Sequence, residues 1–506
     1  MRATCVPAGR QRSRRAFLTK IRCRIEAECG SKRYEKNLHD TGIAYPLGSP
    51  CLSSRQREEW ELSIVDELTA CLAGDRAERC QRFVARVAEA LALPAAAVTA
   101  EVATFLAGDF VGGRQPAVER LAAIDPEAYG RTRNDLAGAV TRLSPWLRHG
   151  VLSLAEVRDA ALARVREPAH AVKLISELGW RDYWQRVVAA RPEAIWHELE
   201  EPAAQARGGS SLRSVGATLP ADIASAQTGM ACIDAFSRQL TETGWLHNHA
   251  RMWLASWLVH VRHVPWQVGA AWFLEHLLDA DPASNNFSWQ WIAGTFSSKP
   301  YIFNRDNLER FTSGKFCSTC PELGHCDVEG GYEELSAQLF ASLGERTERL
   351  VIPPPDPWYA DPPAGKPLVW LSLDALAATA PARQRHPDAL SVCVLDADWL
   401  REERPSPKRL AFIADCLADI PGVEVWLGDA AAVLASRAVA VGASHICVTT
   451  TACPRVRKTA AALAETLPVV PVDWPPFCDA SRVKDLGRFS RYWNKVSKSA
   501  LQPTAG

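Results

Sequence analysis

Between Thr228 and Trp291 the chain reads TGMACIDAFSRQLTETGWLHNHARMWLASWLVHVRHVPWQVGAAWFLEHLLDADPASNNFSWQW. Trp, His, Asn, Arg and Asp recur among the apolar residues more densely than helix packing needs. Such a mixture suits a buried aromatic ligand, with rings to stack on it and polar groups to meet its edges. The whole chain has 18 Trp against three Met. Neighbouring indoles also serve as electron relays, although most of the 18 are expected to fill helical cores. TRLS, at Thr141 to Ser144, offers hydroxyls, a guanidinium and backbone N–H groups at a helix start. By itself it reads as an N-cap; with an anionic ligand it reads as a grip on phosphate oxygens. In SELGWRDYW, Glu177, Trp180 and Arg181 share one helical face at i, i+3 and i+4. The plain reading is a Glu177–Arg181 ion pair worth about 0.3–0.5 kcal/mol. FCSTCPELGHCD gives Cys317, Cys320 and Cys326 metal-ligand spacing, with His325 beside them. The fourth ligand is missing locally, so zinc or an iron–sulfur cluster stands against buried structural thiols.

These motifs need elements to hold them. From Gly112 to about Gly344 the apolar period is almost entirely helical. Residues 58–108 read as short helices, as in RCQRFVARVAEALAL. Met1 to about Ser54 is polar and basic, an ill-ordered arm. Leu350 to Pro367, LVIPPPDPWYADPPAGKP, is an extended proline-rich linker. After it, LVWLSL, SVCVLDA, VEVWLGD, HICVTT and VVPVDW alternate with helical stretches, the pattern of an open parallel α/β sheet with right-handed crossovers. The expected fold is a mainly α-helical domain followed by a Rossmann-like α/β domain. The boundaries are 1–57 (basic segment), 58–108 (short helices), 109–345 (helical domain), 346–365 (linker), 366–493 (α/β domain) and 494–506 (tail). There is no GxGxxG and no phosphate loop in the α/β part.

Composition bounds the function. The chain of 506 residues is long enough for two or three domains. Its formal net charge is zero, against a dedicated nucleic-acid binder. Phe110 to Glu345 holds 22 Lys and Arg against 27 Asp and Glu, an acidic balance for a surface that would grip phosphate. The 15 Cys are scattered, which fits reduced thiols in the cytoplasm. No 18-residue apolar run exists, so no membrane span is expected. Met1 to Arg24 holds eight Lys and Arg and no acid, so an organelle-targeting segment is the alternative to a basic arm.

Together the motifs resemble the cryptochrome and DNA photolyase family. The resemblance implies an FAD-binding helical domain followed by an antenna-like α/β domain, the reverse of the family's usual order and so a circular permutation. RFSRYWNKV is similar to the family's antenna-to-linker stretch. The resemblance assigns Tyr129, Thr141, Arg142, Leu143, Ser144, Arg181, Trp245, Asn248, Asp279, Asp281 and Asn285 to the flavin. Arg142 falls in the pyrophosphate loop and Asn285 faces flavin N5. Arg251 matches a family Arg. It assigns Glu177, Trp180, Asn248, Met252 and Trp291 to a pyrimidine-dimer pocket. His247 and His249, which flank Asn248, are read as satisfied polar groups with no acid–base role. Trp289 and Trp266 match the first two residues of a three-Trp electron relay. The usual third position, near Arg213, has no Trp, and Trp253 or Trp196 is the candidate substitute. The implied activity is light-driven electron transfer from reduced FAD that splits cyclobutane pyrimidine dimers in damaged DNA, a deoxyribodipyrimidine photo-lyase. The alternative is a blue-light photoreceptor that signals to a protein partner, and a third option is a dark redox role for the Cys cluster. WLSLDALAATAPAR and TTTACPR depart from the family's antenna pattern, so the α/β domain is expected to act as scaffold.

Overall fold

The computed structural model describes residues 65–206, 218–344 and 349–504. The basic arm, and the GGSSLRS stretch where the relay's usual third Trp would fall, lie outside the described residues.

The chain begins at the edge of a sheet it completes only later. Strand β1 (Asp66–Glu67) is followed by helices α1 (Arg76–Ala90) and α2 (Ala95–Leu106). Asp75 caps α1 by accepting from the Glu78 amide at 2.9 Å. The helical half runs through α3 (Arg114–Ala122), α4 (Pro126–Thr132), α5 (Ser144–Arg148), α6 (Leu154–Leu162) and the long α7 (Val172–Ala190). A short hairpin of β2 (Ala204–Ala206) with β3 (Phe340–Leu343) encloses α8 (Ala221–Ala224), α9 (Ala231–Thr243), α10 (Asn248–Ser256), α11 (Trp266–His276), α12 (Pro282–Ala293), α13 (Arg305–Thr312) and α14 (Tyr332–Leu339). α10 continues into a π-helical turn, Trp257–Val261.

Leu350 to Lys366 has no regular structure, as its prolines dictate. β4 (Pro367–Leu371), α15 (Pro381–Arg385), β5 (Ser391–Asp396), α16 (Ala397–Glu403), α17 (Pro407–Ala418), β6 (Val423–Gly428), α18 (Ala430–Val441), β7 (His445–Thr449), α19 (Pro454–Ala464) and β8 (Val469–Val472) form the α/β half. The sheet order is β1-β6-β5-β4-β7-β8, parallel throughout except for β1. The last helix, α20, spans Phe489–Ala500.

Two expected boundaries are corrected. The described residues 65–108 are no separate region, because β1 pairs with β6 and α1 packs on α17 through Arg76 and Arg79, which both bond Asp415. Nor is 494 the start of a tail, since α20 runs through it. α20 lies on α7, where Gly179 admits the Trp493 ring; a Cβ there would fall inside it. A large apolar core runs from α1 and α7 to one face of the sheet, and a second core fills the helical half around α9 to α12.

Candidate functional site

The TRLS loop is shaped for more than capping. Arg142 has φ +53°, a left-handed conformation that a side chain pays for in strain unless its surroundings impose it. Thr141 bonds within the loop, accepting from the Leu143 amide, and no side chain caps α5. The Arg142 guanidinium lies 4.8 Å over the Trp245 ring and pairs with Asp109 at 3.2 Å. Its Nε is buried without a partner, an unmet donor where the sequence expects pyrophosphate.

The acidic pair splits into two jobs. Asp281 caps α12, and its Oδ2 accepts from Ser284 Oγ at 2.6 Å and Gln185 at 2.8 Å, with Arg181 at 3.5 Å. Burial works to raise this carboxyl, but Arg181, Arg148 and the two hydrogen bonds outweigh it and hold it below the usual range. Arg181 therefore serves Asp281, and the expected Glu177–Arg181 pair does not form. Asp279 pairs through Oδ2 with Arg251 at 2.8 Å, while its Oδ1 is buried with no partner. Asn285 donates to the Ala270 carbonyl at 3.0 Å and to Asn286 at 2.9 Å.

Of the residues expected to line a dimer pocket, Glu177 bonds Arg133 at 2.5 Å. Burial pushes the Glu177 carboxyl up, and Arg133 and Lys173 only partly offset it. Tyr129, one helical turn before Arg133, has its phenol pushed up by burial and then by Glu177. Trp180 is stacked on Phe489 of α20, centroids 3.7 Å apart and 11° from parallel. Asn248 is exposed and reaches Met252 Sδ at 3.5 Å. Trp291 packs against Tyr301 with centroids 5.6 Å apart. His247 caps α10, and burial, then His249 and Arg251, push its imidazole down to about 4. Burial and Arg133 lower His249 too.

Trp289 and Trp266, the expected relay residues, sit on the neighbouring helices α12 and α11. Trp289 meets Phe273 edge-on, centroids 5.0 Å apart, and its ring rests against the α11 backbone at Gly269, where a Cβ would collide with it. One turn earlier on α11, Trp266 is fully buried. Trp196 lies parallel to it, centroids 6.4 Å apart and 10° from coplanar. Trp253 instead packs among Phe236, Phe303 and His249.

Four thiols, not three, share one place. Cys232, Cys317, Cys320 and Cys326 line a single cavity with Met230, Leu308, Phe316 and Val328. Burial pushes the Cys232 thiol up to about 12, and the other three thiols push the same way. The Ala231 amide donates to Cys320 Sγ at 3.4 Å. Among the described residues no three His, Cys, Asp or Glu already stand at metal-binding geometry, so the thiols border the cavity without closing on a point. His325 is exposed and does not line it. Cys232 stood in plain view in TGMACID, but no local spacing ties it to residues so far along the chain. Arg133 was equally visible in YGRTRND.

The crevice at the carboxyl ends of β4 and β7, where doubly wound sheets usually take ligands, holds side chains of the protein itself. Arg148 of α5 reaches Asp374, which also accepts from Thr451.

Residues 174–330, which include Asp279, Arg251, Trp266, Trp289 and all four cavity thiols, match the family described as the FAD binding domain of DNA photolyase. That segment of the chain is similar to the FAD-binding domain of DNA photolyases. A deoxyribodipyrimidine photo-lyase of Streptomyces griseus is 38% identical over 168 residues, 33% of this chain and 35% of that protein. A cryptochrome DASH, chloroplastic/mitochondrial, of Oryza sativa subsp. japonica is 34% identical over 196 residues, 37% and 33% of the two chains. A bacterial class III photolyase from Agrobacterium tumefaciens is a solved structure with 30% identity and a TM-score of 0.34, covering 40% of this chain and 43% of that one. The chain spans little more than a third of the length of the curated relatives it matches. A helical half followed by an α/β half is the arrangement expected from the sequence. No described helix is long and apolar enough to cross a membrane.

Proposed function

We propose that this protein holds FAD in its helical half and uses light to move single electrons, acting as a photo-lyase on cyclobutane pyrimidine dimers. The observation that carries the reading is a buried donor and a buried acceptor, Arg142 Nε and Asp279 Oδ1, both without partners within the protein. A flavin dinucleotide offers what both lack, anionic oxygens for the guanidinium and an N–H or O–H for the carboxylate. FAD supplies the light-absorbing electron donor. The chain supplies the rest. Arg251 fixes Asp279, and Asp281 orients the start of α12, so Asn285 and Trp289 project from a rigid helix. Glu177, steadied by Arg133, is placed to hydrogen-bond a base, and Trp180, backed by Phe489, gives it a firm stacking surface. An electron passed to the dimer lets both cyclobutane C–C bonds break and then returns, so the cycle has no net oxidation.

The docking of α20 on α7, directly after the sheet, supports a permuted order of the two halves. The four thiols support a metal site: soft sulfur ligands in an apolar cavity suit zinc or an iron–sulfur cluster, whose positive charge would relieve their mutual repulsion. The acidic balance of residues 110–345 favours a second reading, a photoreceptor whose partner is a protein.

Reduced, illuminated protein should restore a dimer-containing oligonucleotide to its monomers. Base–aromatic stacking is worth about 1–3 kcal/mol, so Trp180→Ala should weaken binding of the damaged strand by roughly 5- to 150-fold with FAD content retained. Wild-type protein that shows neither repair nor preference for the damaged strand would leave the photoreceptor reading in its place.

A further inference from the structure

Helix α12 does two things at once. It carries Trp289, and on the flanking turns it carries Asn286 and Gln290, both fully buried. Asn286 donates to the Ile195 carbonyl at 2.7 Å. Gln290 donates to the Ala194 carbonyl at 2.7 Å and the His197 carbonyl at 3.1 Å, and accepts from the Leu199 amide at 3.1 Å. These bonds pin the loop between α7 and β2 that presents Trp196 and Glu198. One Glu198 oxygen then accepts from the Trp266 indole N–H and from Gln267, each at 3.2 Å. A carboxylate also meets the buried Trp257 indole, where Asp327 accepts at 3.2 Å, but only at Trp266 among these two does a parallel indole, Trp196, lie alongside. A carboxylate on the N–H helps an indole that loses an electron, because its cation is costly away from water and its N–H becomes acidic.

We propose that Trp196 is the outer end of the relay, and that Glu198 takes the Trp266 indole proton while Trp266 is oxidised. The proposal rests on the flavin reading above, with a photoexcited flavin as the one-electron oxidant. An electron leaves Trp289 for that oxidant, and one from Trp266 fills the hole. The Trp266 N–H proton crosses to the Glu198 carboxylate. An electron from Trp196 then reduces Trp266 as the proton returns, and Trp196, which is half-buried, releases its own indole proton to water. One electron has moved inward, one proton has left, and Glu198 is unchanged.

The test uses full-length, FAD-loaded protein and transient absorption that separates cationic from neutral tryptophanyl radicals. Trp196→Phe should abolish the long-lived neutral radical and lose most of the photoreduction yield, with the hole on Trp266 recombining instead. Trp196→Tyr should restore the yield and replace the tryptophanyl signature with a tyrosyl one. Glu198→Gln keeps an oxygen acceptor but removes the base, so loss of the Trp266 cation should slow about tenfold, equivalent to ~1.4 kcal/mol in the barrier. Trp253→Phe should change none of these. Unaltered yield and radical lifetime in Trp196→Phe, or the absence of a tyrosyl signal in Trp196→Tyr, would overturn Trp196 as the terminus. Unaltered kinetics in Glu198→Gln would remove the proton role. Wild-type protein that binds FAD but is not photoreduced at all would overturn the relay and leave the photo-lyase reading, which starts from reduced FAD, standing; protein that cannot be loaded with FAD would sink both.

Discussion

Single residues show how far spacing can be read. Glu177 and Arg181 stand one turn apart on α7, yet Glu177 turns to Arg133 and Arg181 to Asp281. An i,i+4 pair gives up only a few tenths of a kcal/mol when stronger partners are near, and a carboxylate capping a buried helix start is such a partner. Arg142 illustrates the reverse case: its motif was legible, but the left-handed backbone and unmet Nε were not. Replacing Arg142 with Gln deletes charge-assisted bonds worth about 1.5–3 kcal/mol, so FAD affinity should fall roughly 10- to 150-fold. Fluorescence titration of flavin-free protein measures it. Unchanged affinity would mean that the unmet Nε faces something other than the cofactor.

At the scale of elements, alternating β-branched runs and helices revealed the α/β half directly, because parallel strands buried on both faces read as continuous apolar segments. What stayed hidden were pairings across long stretches of chain. Nothing local links Cys232 on α9 with the Cys317–Cys326 loop, or Trp196 with Trp266; only the packing of α9, α11 and α12 brings them together. The fourth thiol makes the metal question sharper. If the cavity holds zinc or an iron–sulfur cluster, elemental analysis of protein purified without oxygen should find it, and Cys232→Ser should lose it as readily as Cys320→Ser. Metal-free wild type with Cys232→Ser equally stable would leave four packing thiols.

Across the whole molecule, buried histidines set an acid limit. His260 donates through Nε2 to the Ile292 carbonyl at 3.0 Å and is pushed down to about 4, chiefly by burial, as is His247. Burial, then Arg148 and Arg409, lowers His149 further. The unfolded chain binds these protons near the ordinary value of 6.5, whereas the folded chain resists them down to about 4. Their contribution is therefore full above pH 6.5 and is lost as pH falls through that window, by about 1.4 kcal/mol per pH unit for each histidine. Denaturant midpoints measured between pH 7 and pH 4 should fall steadily; a flat profile would contradict the burial.

The two ends of the described chain each fasten to the half they do not belong to in sequence. β1 joins the sheet built after the linker, and α20 lies on α7, built before it. Tyr183 of α7 donates to the Leu486 carbonyl just ahead of α20, and Arg488 bonds Glu200. The exposed stretch Pro353–Pro354 is thus a bridge between bodies already laced together on both sides. A single nick there would sever the polymer without freeing either piece, because each fragment would still carry a strap wound around the other.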